Sequence, residues 1–131
     1  LLDYAKVRSP SNYSYVLNHE LSIPADSESF DFAFATSVFT HLLQAEIQLY
    51  MNDIYRVLRP RGRFFFTYLD METHETVYNS TVEQTASNTL PHLNQFLHKD
   101  QILFMAKKSG FIAARFEPDA GIEQSIALLT K

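Results

Sequence analysis

The 131 residues contain no cysteine. That removes disulfides, thiolate nucleophiles and thiolate-ligated zinc together, and it is compatible with a reducing compartment, so a cytoplasmic location is expected. Glycine is nearly as scarce. The three glycines stand at 62, 110 and 121, so no G-x-G turn exists anywhere in the chain. No apolar stretch approaches the roughly 18 to 20 residues that span a bilayer, and the opening LLDYAKVRSP lacks the charged-then-apolar order of a signal peptide. No membrane association is therefore expected. Basic runs are missing too: 11 Lys and Arg face 15 Asp and Glu, for a net charge of −4. This balance argues against nucleic acid as a partner. The histidines at 19, 41, 74, 92 and 98 form no HExxH or comparably spaced ligand set, so no metal is expected. No G-x-S-x-G surrounds any serine, which leaves hydrolase chemistry unsupported.

What is present is an ordinary globular composition, 46% hydrophobic and 20% charged, of a length that allows one domain over residues 1–131. Residues 1–8 read as the tail of a helix stopped by Ser9-Pro10, and the alternation around Tyr13, Tyr15 and Leu17 predicts a short strand over 12–17. The run FDFAFATSVF is apolar except at Asp31, the pattern of a strand buried on both faces of a parallel sheet. It predicts a central strand from Phe30 to Thr36, with Asp31 buried and satisfied by neighbouring backbone. From Leu43, the residues Ile47, Tyr50, Met51, Ile54, Val57 and Leu58 recur at helical spacing until Pro60. The aromatic run Arg63 to Leu69 gives a second buried strand, and the three pieces form a βαβ unit. Residues 70–98 carry few periodic apolar positions and read as a long loop. A helix then starts at Asp100 and stops at Gly110, and FIAARFEPD with QSIALLT reads as a closing antiparallel pair. The fold class is α/β, a partial doubly wound (Rossmann-like) sheet, mostly parallel, with a closing antiparallel hairpin.

The stretch IPADSESFDFAFATSVFTHL followed by YMNDIYRVLRPRGRFFFTYLD resembles the carboxyl-terminal portion of class I S-adenosylmethionine-dependent methyltransferases. The resemblance rests on the order of parts, namely Glu20-Leu21, Phe30-Asp31, Ala35-Thr36-Ser37, His41-Leu42, Arg56-Val57-Leu58 and the turn Pro60-Arg61-Gly62. It implies a methyl transfer to a small-molecule acceptor, S-adenosyl-L-methionine as cofactor, and a crevice at the carboxyl ends of the strands. It also implies cofactor contacts from Glu20, Leu21, Ala35, Thr36 and Ser37, with the register of Glu20 open by one residue because the family often carries its acid where this chain has His19. His41 beside the crevice would orient the acceptor or act as base, and Tyr68, His74 and Tyr78 would touch substrate.

Two departures accompany the match. The family's glycine-rich turn and the acid that holds the ribose have no counterpart in this chain, so the domain is expected to lack the amino-terminal strands of the fold. Arg61 replaces the first glycine of the family's turn, at a cost of about 1 kcal/mol if that position needs positive φ. A second reading stays open: a truncated, non-catalytic methyltransferase-like module that binds or assembles, with a homodimer formed through an exposed sheet edge.

Overall fold

The computed structural model describes residues 2–118 and 123–131. The strongest periodicity becomes α2 (Gln44–Val57), with Ile47, Met51, Ile54 and Val57 buried along one face. Glu46 reaches back to accept the Leu43 amide at 2.7 Å, which closes the first turn. A shorter helix, α1 (Leu2–Arg8), precedes it as the sequence predicts.

The chain passes from α2 directly into β2 (Leu58–Tyr68). Pro60 can only follow a helix end, because it has no amide to donate. Arg61 takes φ +66°, so the turn does need a left-handed residue and arginine bears the strain. Gly62 serves a different purpose: a Cβ there would stand 2.7 Å from the Arg59 carbonyl oxygen. The last residue ties down this turn, since Arg61 donates its amide to the Lys131 carbonyl and the Lys131 amide donates to Gly62, both at 3.0 Å.

Four strands form one sheet in the order β1 (Phe30–Ala35), β2, β4 (Ser125–Thr130), β3 (Ala113–Glu117). β1 runs parallel to β2, whereas β4 is antiparallel to both β2 and β3. The closing antiparallel pair is thus as expected, and one of the three pairings is parallel. Phe64, Phe66 and Tyr68 alternate onto one face, where Ala127 and Leu129 join them. Helices α2 and α4 (Lys99–Ser109) cover that face through Ile47, Met51, Ile102 and Met105.

Phe30–Ala35 is an edge strand and not a central one. Its Ala33 and Ala35 pack on the core, while Phe30, Phe32 and Phe34 remain 44%, 48% and 71% exposed. The apolar run does suit a strand flanked on both sides, but among the described residues only β2 pairs with it. Asp31 is accordingly exposed and bonds Arg59 Nη1 at 2.8 Å. Residues 12–17 form no strand; Tyr13, Val16 and Leu17 stay exposed. Asn18 instead folds the following chain into a tight turn, its Nδ2 donating to the Glu20 carbonyl and its Oδ1 accepting the Glu20 amide. Within 70–98 the structure has a helix, α3 (Glu75–Ala86), with no buried residue. Its inner face is only half-buried, at Val77, Thr81 and Gln84, and two polar residues of those three leave no apolar stripe to read.

Candidate active site

The parallel pair β1 and β2 ends where ligands of open α/β sheets collect. Beyond β1 the chain turns at Ser37, whose φ of +53° is left-handed. Three polar contacts hold it there. The Ser37 amide donates to Thr67 Oγ1 at 2.9 Å, Thr67 Oγ1 donates to Gln124 Oε1, and Gln124 Nε2 donates to Ser37 Oγ at 2.9 Å. The tips of β1 and β2 and the approach to β4 are thereby joined in one cycle. Such local strain persists only where its surroundings over-determine it.

A single 3₁₀ turn, Phe39–His41, follows. Phe39 plugs into the core between Phe64 and Phe66, with ring centroids 5.7 and 5.0 Å away. This anchor buries Thr40 to 2% exposure, and Thr40 Oγ1 finds no hydrogen-bond partner among the described residues. A buried hydroxyl without a partner is costly. Here it lines a recess of about 350 Å³ together with Ser37, His41, His92, Asn94 and Gln124.

The segment before α4 closes the recess from above. Gln95 donates its amide to the Thr40 carbonyl at 2.7 Å and Leu97 donates to Leu69 at 2.9 Å. Asn94 Nδ2 donates to Thr81 Oγ1 at 2.9 Å, and Phe96 packs edge-on against Tyr78. So pinned, the segment sets the Leu93 carbonyl 2.8 Å from His41 Nδ1. A carbonyl only accepts, so Nδ1 carries a proton, and in the uncharged imidazole the lone pair stands on Nε2. The His92 ring meets that of His41 edge to face, centroids 4.5 Å apart.

Of the residues the sequence singled out, the structure brings Ser37 and His41 into this recess. Ala35 and Thr36 lead into it from β1, with Ala35 packed on the core and Thr36 exposed. Glu20 and Leu21 lie in a separate exposed loop outside the recess lining. That loop is clamped from α2. Arg56 donates to the Ile23 and Ala25 carbonyls at 3.0 and 2.8 Å, Asp53 accepts the Ile23 amide at 2.5 Å, and Tyr50 donates to the Glu20 carbonyl at 3.2 Å. The Arg56 guanidinium holds the Asp53 carboxyl below the usual carboxylate range.

Tyr68, His74 and Tyr78 do not line the recess. Tyr68 is buried against Phe66 and Phe116, and burial, with the charge of Asp70 adding to it, pushes its hydroxyl up to about 12. His74 is buried with Nδ1 3.1 Å from the Asp70 carbonyl. Tyr78 packs on Phe96 from α3. Thr40, His92, Asn94 and Gln124 were not anticipated. They come from a turn and two irregular segments, where no periodicity marks a residue.

Residues 1–66 match a family model described as a methyltransferase domain. The chain belongs to the class I S-adenosylmethionine-dependent methyltransferase family. A protein of Pyrococcus horikoshii OT3 shares the fold with a TM-score of 0.72 at 15% identity, over 98% of this chain and 64% of its own. An S-adenosylmethionine-dependent methyltransferase of Methanosarcina mazei aligns with a TM-score of 0.64 at 15% identity, over 98% and 74%. Human N-acetylserotonin methyltransferase, solved in complex with S-adenosylmethionine, gives 0.65 at 14% identity, over 85% of this chain and 31% of its own. Against three further solved structures that share the fold, the methyltransferase domain spans 60%, 40% and 33% of their length. Among its described residues no helix is long and apolar enough to cross a membrane.

Proposed function

We propose that this domain supplies the acceptor side of an S-adenosylmethionine-dependent methyltransferase site, with His41 as the base that takes a proton from a small-molecule acceptor. The observation that carries this reading is the recess itself. It lies at the carboxyl ends of β1 and β2, under a strained Ser37, with an orphaned Thr40 hydroxyl and a His41 ring oriented through the Leu93 carbonyl.

The residues present fit one side of such a cofactor. Ala35, Thr36 and Ser37 leave the strand end open, and among the described residues the recess lining contains Glu123 and neither Lys nor Arg, an environment suited to a sulfonium cation. The clamped loop at Glu20 and Leu21 offers a carboxylate and an apolar side chain to an adenine ring. The glycine-rich turn of the family has no counterpart among the 131 residues, so on this reading residues 1–131 form the carboxyl-terminal part of the full site.

When bound, the cofactor supplies an electrophilic methyl group. What the chain has to do is hold the acceptor in line and accept its proton. The Leu93 carbonyl fixes His41 in the tautomer whose Nε2 can take that proton, and the cycle through Ser37, Thr67 and Gln124 keeps the floor of the recess rigid.

Calorimetric titration of S-adenosylhomocysteine into the 131-residue chain, and into a version extended upstream in the gene, tests this. Saturable micromolar binding in either supports the reading, and silence in both sinks it. In an active form, His41→Ala should lower kcat by about 10²- to 10⁴-fold.

The bare edge of β1 favours a second reading, in which the domain associates with a second copy through that strand. Antiparallel pairing about a two-fold axis would set Phe32 opposite its counterpart and satisfy both unpaired edges. Sedimentation velocity at high micromolar concentration decides it, because a stable monomer there rules the pairing out.

A further inference from the structure

We infer that the recess takes a small amine as acceptor, held between His92 and Glu123, and that molecules carrying carboxylate or phosphate are excluded from it. This rests on the methyltransferase reading and specifies what that site accepts.

Charge favours an amine. Among the described residues the lining includes one carboxylate, Glu123, and no Lys or Arg; its remaining polar groups are hydroxyls, amides and the two imidazoles. An anionic ligand would enter without a partner of opposite charge and would lose its hydration for nothing. An ammonium group would gain Glu123 and shed its hydrogen bonds onto acceptors. Glu123 takes φ +55° and has no ion-pair partner among the described residues, so its carboxylate is not already spent on a Lys or Arg of the described chain.

The hydrogen-bonding sense of the recess points the same way. His41 presents a lone pair at Nε2, because the Leu93 carbonyl claims its Nδ1 proton at 2.8 Å. His92 shares the same carbonyl more loosely, its Nδ1 lying 3.4 Å away, beyond the range of a good hydrogen bond. The second imidazole is thus held mainly by its edge-to-face contact with His41 at 4.5 Å, and it is free to reorient toward a ligand. Thr40 Oγ1, buried without a partner among the described residues, can donate or accept. An amine with two or three N–H bonds matches this set of acceptors.

Size agrees. At roughly 30 Å³ per water-sized group, a recess of about 350 Å³ holds on the order of a dozen heavy atoms, room enough for a small amine.

The test uses the 131-residue chain with imidazole resonances of His41 and His92 followed by NMR during titration with four probes of similar size: phenethylamine, benzyl alcohol, phenylacetate and phenyl phosphate. Phenethylamine should shift both imidazoles and saturate, benzyl alcohol should bind more weakly, and the two anions should leave the resonances in place. Both Glu123→Gln and His92→Gln lie at exposed positions and should weaken phenethylamine by about fivefold, with the rest of the spectrum unchanged. Equal or tighter binding of phenylacetate or phenyl phosphate overturns the proposal, as does phenethylamine binding that is indifferent to both substitutions. S-adenosylhomocysteine titrated separately distinguishes the two levels. If it binds and phenethylamine does not, the amine assignment falls while the methyltransferase reading stands; the converse removes the cofactor and leaves the amine site.

Discussion

The Ser37 amide donates to Thr67 Oγ1 at 2.9 Å, across the gap between the tips of β1 and β2. One hydroxyl on β2 thus holds the left-handed residue on which the recess is built, and it does so while itself donating to Gln124. Position in the parallel pair explains the reach. Ala35 is in register with Phe66, so the residue after Phe66 faces the backbone just beyond β1.

Thr67→Val keeps the shape of the side chain and removes both bonds. It should destabilise the domain by about 1 to 2 kcal/mol, since the Ser37 amide loses its acceptor in a partly buried position. Thr67→Ser, which keeps the hydroxyl, should recover most of that. Urea denaturation measures the difference, and amide exchange at Ser37 should accelerate in the valine variant alone. A valine variant as stable as the parent would show that the cycle is not what holds Ser37.

Arg61 offers a gain. Its φ of +66° costs an L-residue about 1 to 2 kcal/mol, of which glycine returns part through its extra freedom in the unfolded chain. Arg61→Gly should therefore stabilise by about 0.5 to 1 kcal/mol. Gly62→Ala should do the reverse by a larger amount, because its Cβ would stand 2.7 Å from a backbone oxygen. Thermal melts of the two variants should move in opposite directions.

Asp53 links the fold to pH. Its native pKa is lowered below the ordinary 3.8 by Arg56, so its contribution is complete above that value and is lost as pH falls through the depressed native one. Asp53→Asn should cost about 1 kcal/mol at neutral pH, a modest figure because Arg56 is partly in solvent. The parent should then lose stability more steeply below about pH 4 than the variant does. Parallel acid titration curves for the two would contradict the assignment. The same variant should loosen the loop of Glu20 and Leu21, since Asp53 accepts the Ile23 amide.

How much of this was legible beforehand follows from what each residue answers to. α2 was readable because Ile47, Met51, Ile54 and Val57 answer to one buried face, and the strained Arg61 because a turn after Pro60 has few conformations. Phe30–Ala35 was read as a strand correctly and as a central one wrongly, because apolar content records what a strand is suited to and not which neighbours it has. α3 buries none of its own residues and meets the core only through Tyr78 on Phe96, which leaves no periodic pattern. His41 and Gln124 act through distant partners, Leu93 at 52 residues and Ser37 at 87, and no local rule reaches that far.

Tyr68 stands at the end of β2 with its hydroxyl buried. Its hydroxyl and Ser125 Oγ are both buried without hydrogen-bond partners among the described residues, beside the charge of Asp70. Tyr68→Phe should cost no more than about 1 kcal/mol at neutral pH, the net worth of a single hydrogen bond. The larger effect lies in alkali. A tyrosine that ionises near 12 when folded and near 10 when unfolded binds its proton more tightly in the native state, so the stability it confers is full below pH 10 and drains away as pH rises toward 12. Ultraviolet titration should resolve one of the seven tyrosines ionising late or together with unfolding. That component should vanish in Tyr68→Phe, which should also resist alkaline unfolding better than the parent; an unchanged late component would assign it to another tyrosine and put Tyr68 in contact with solvent.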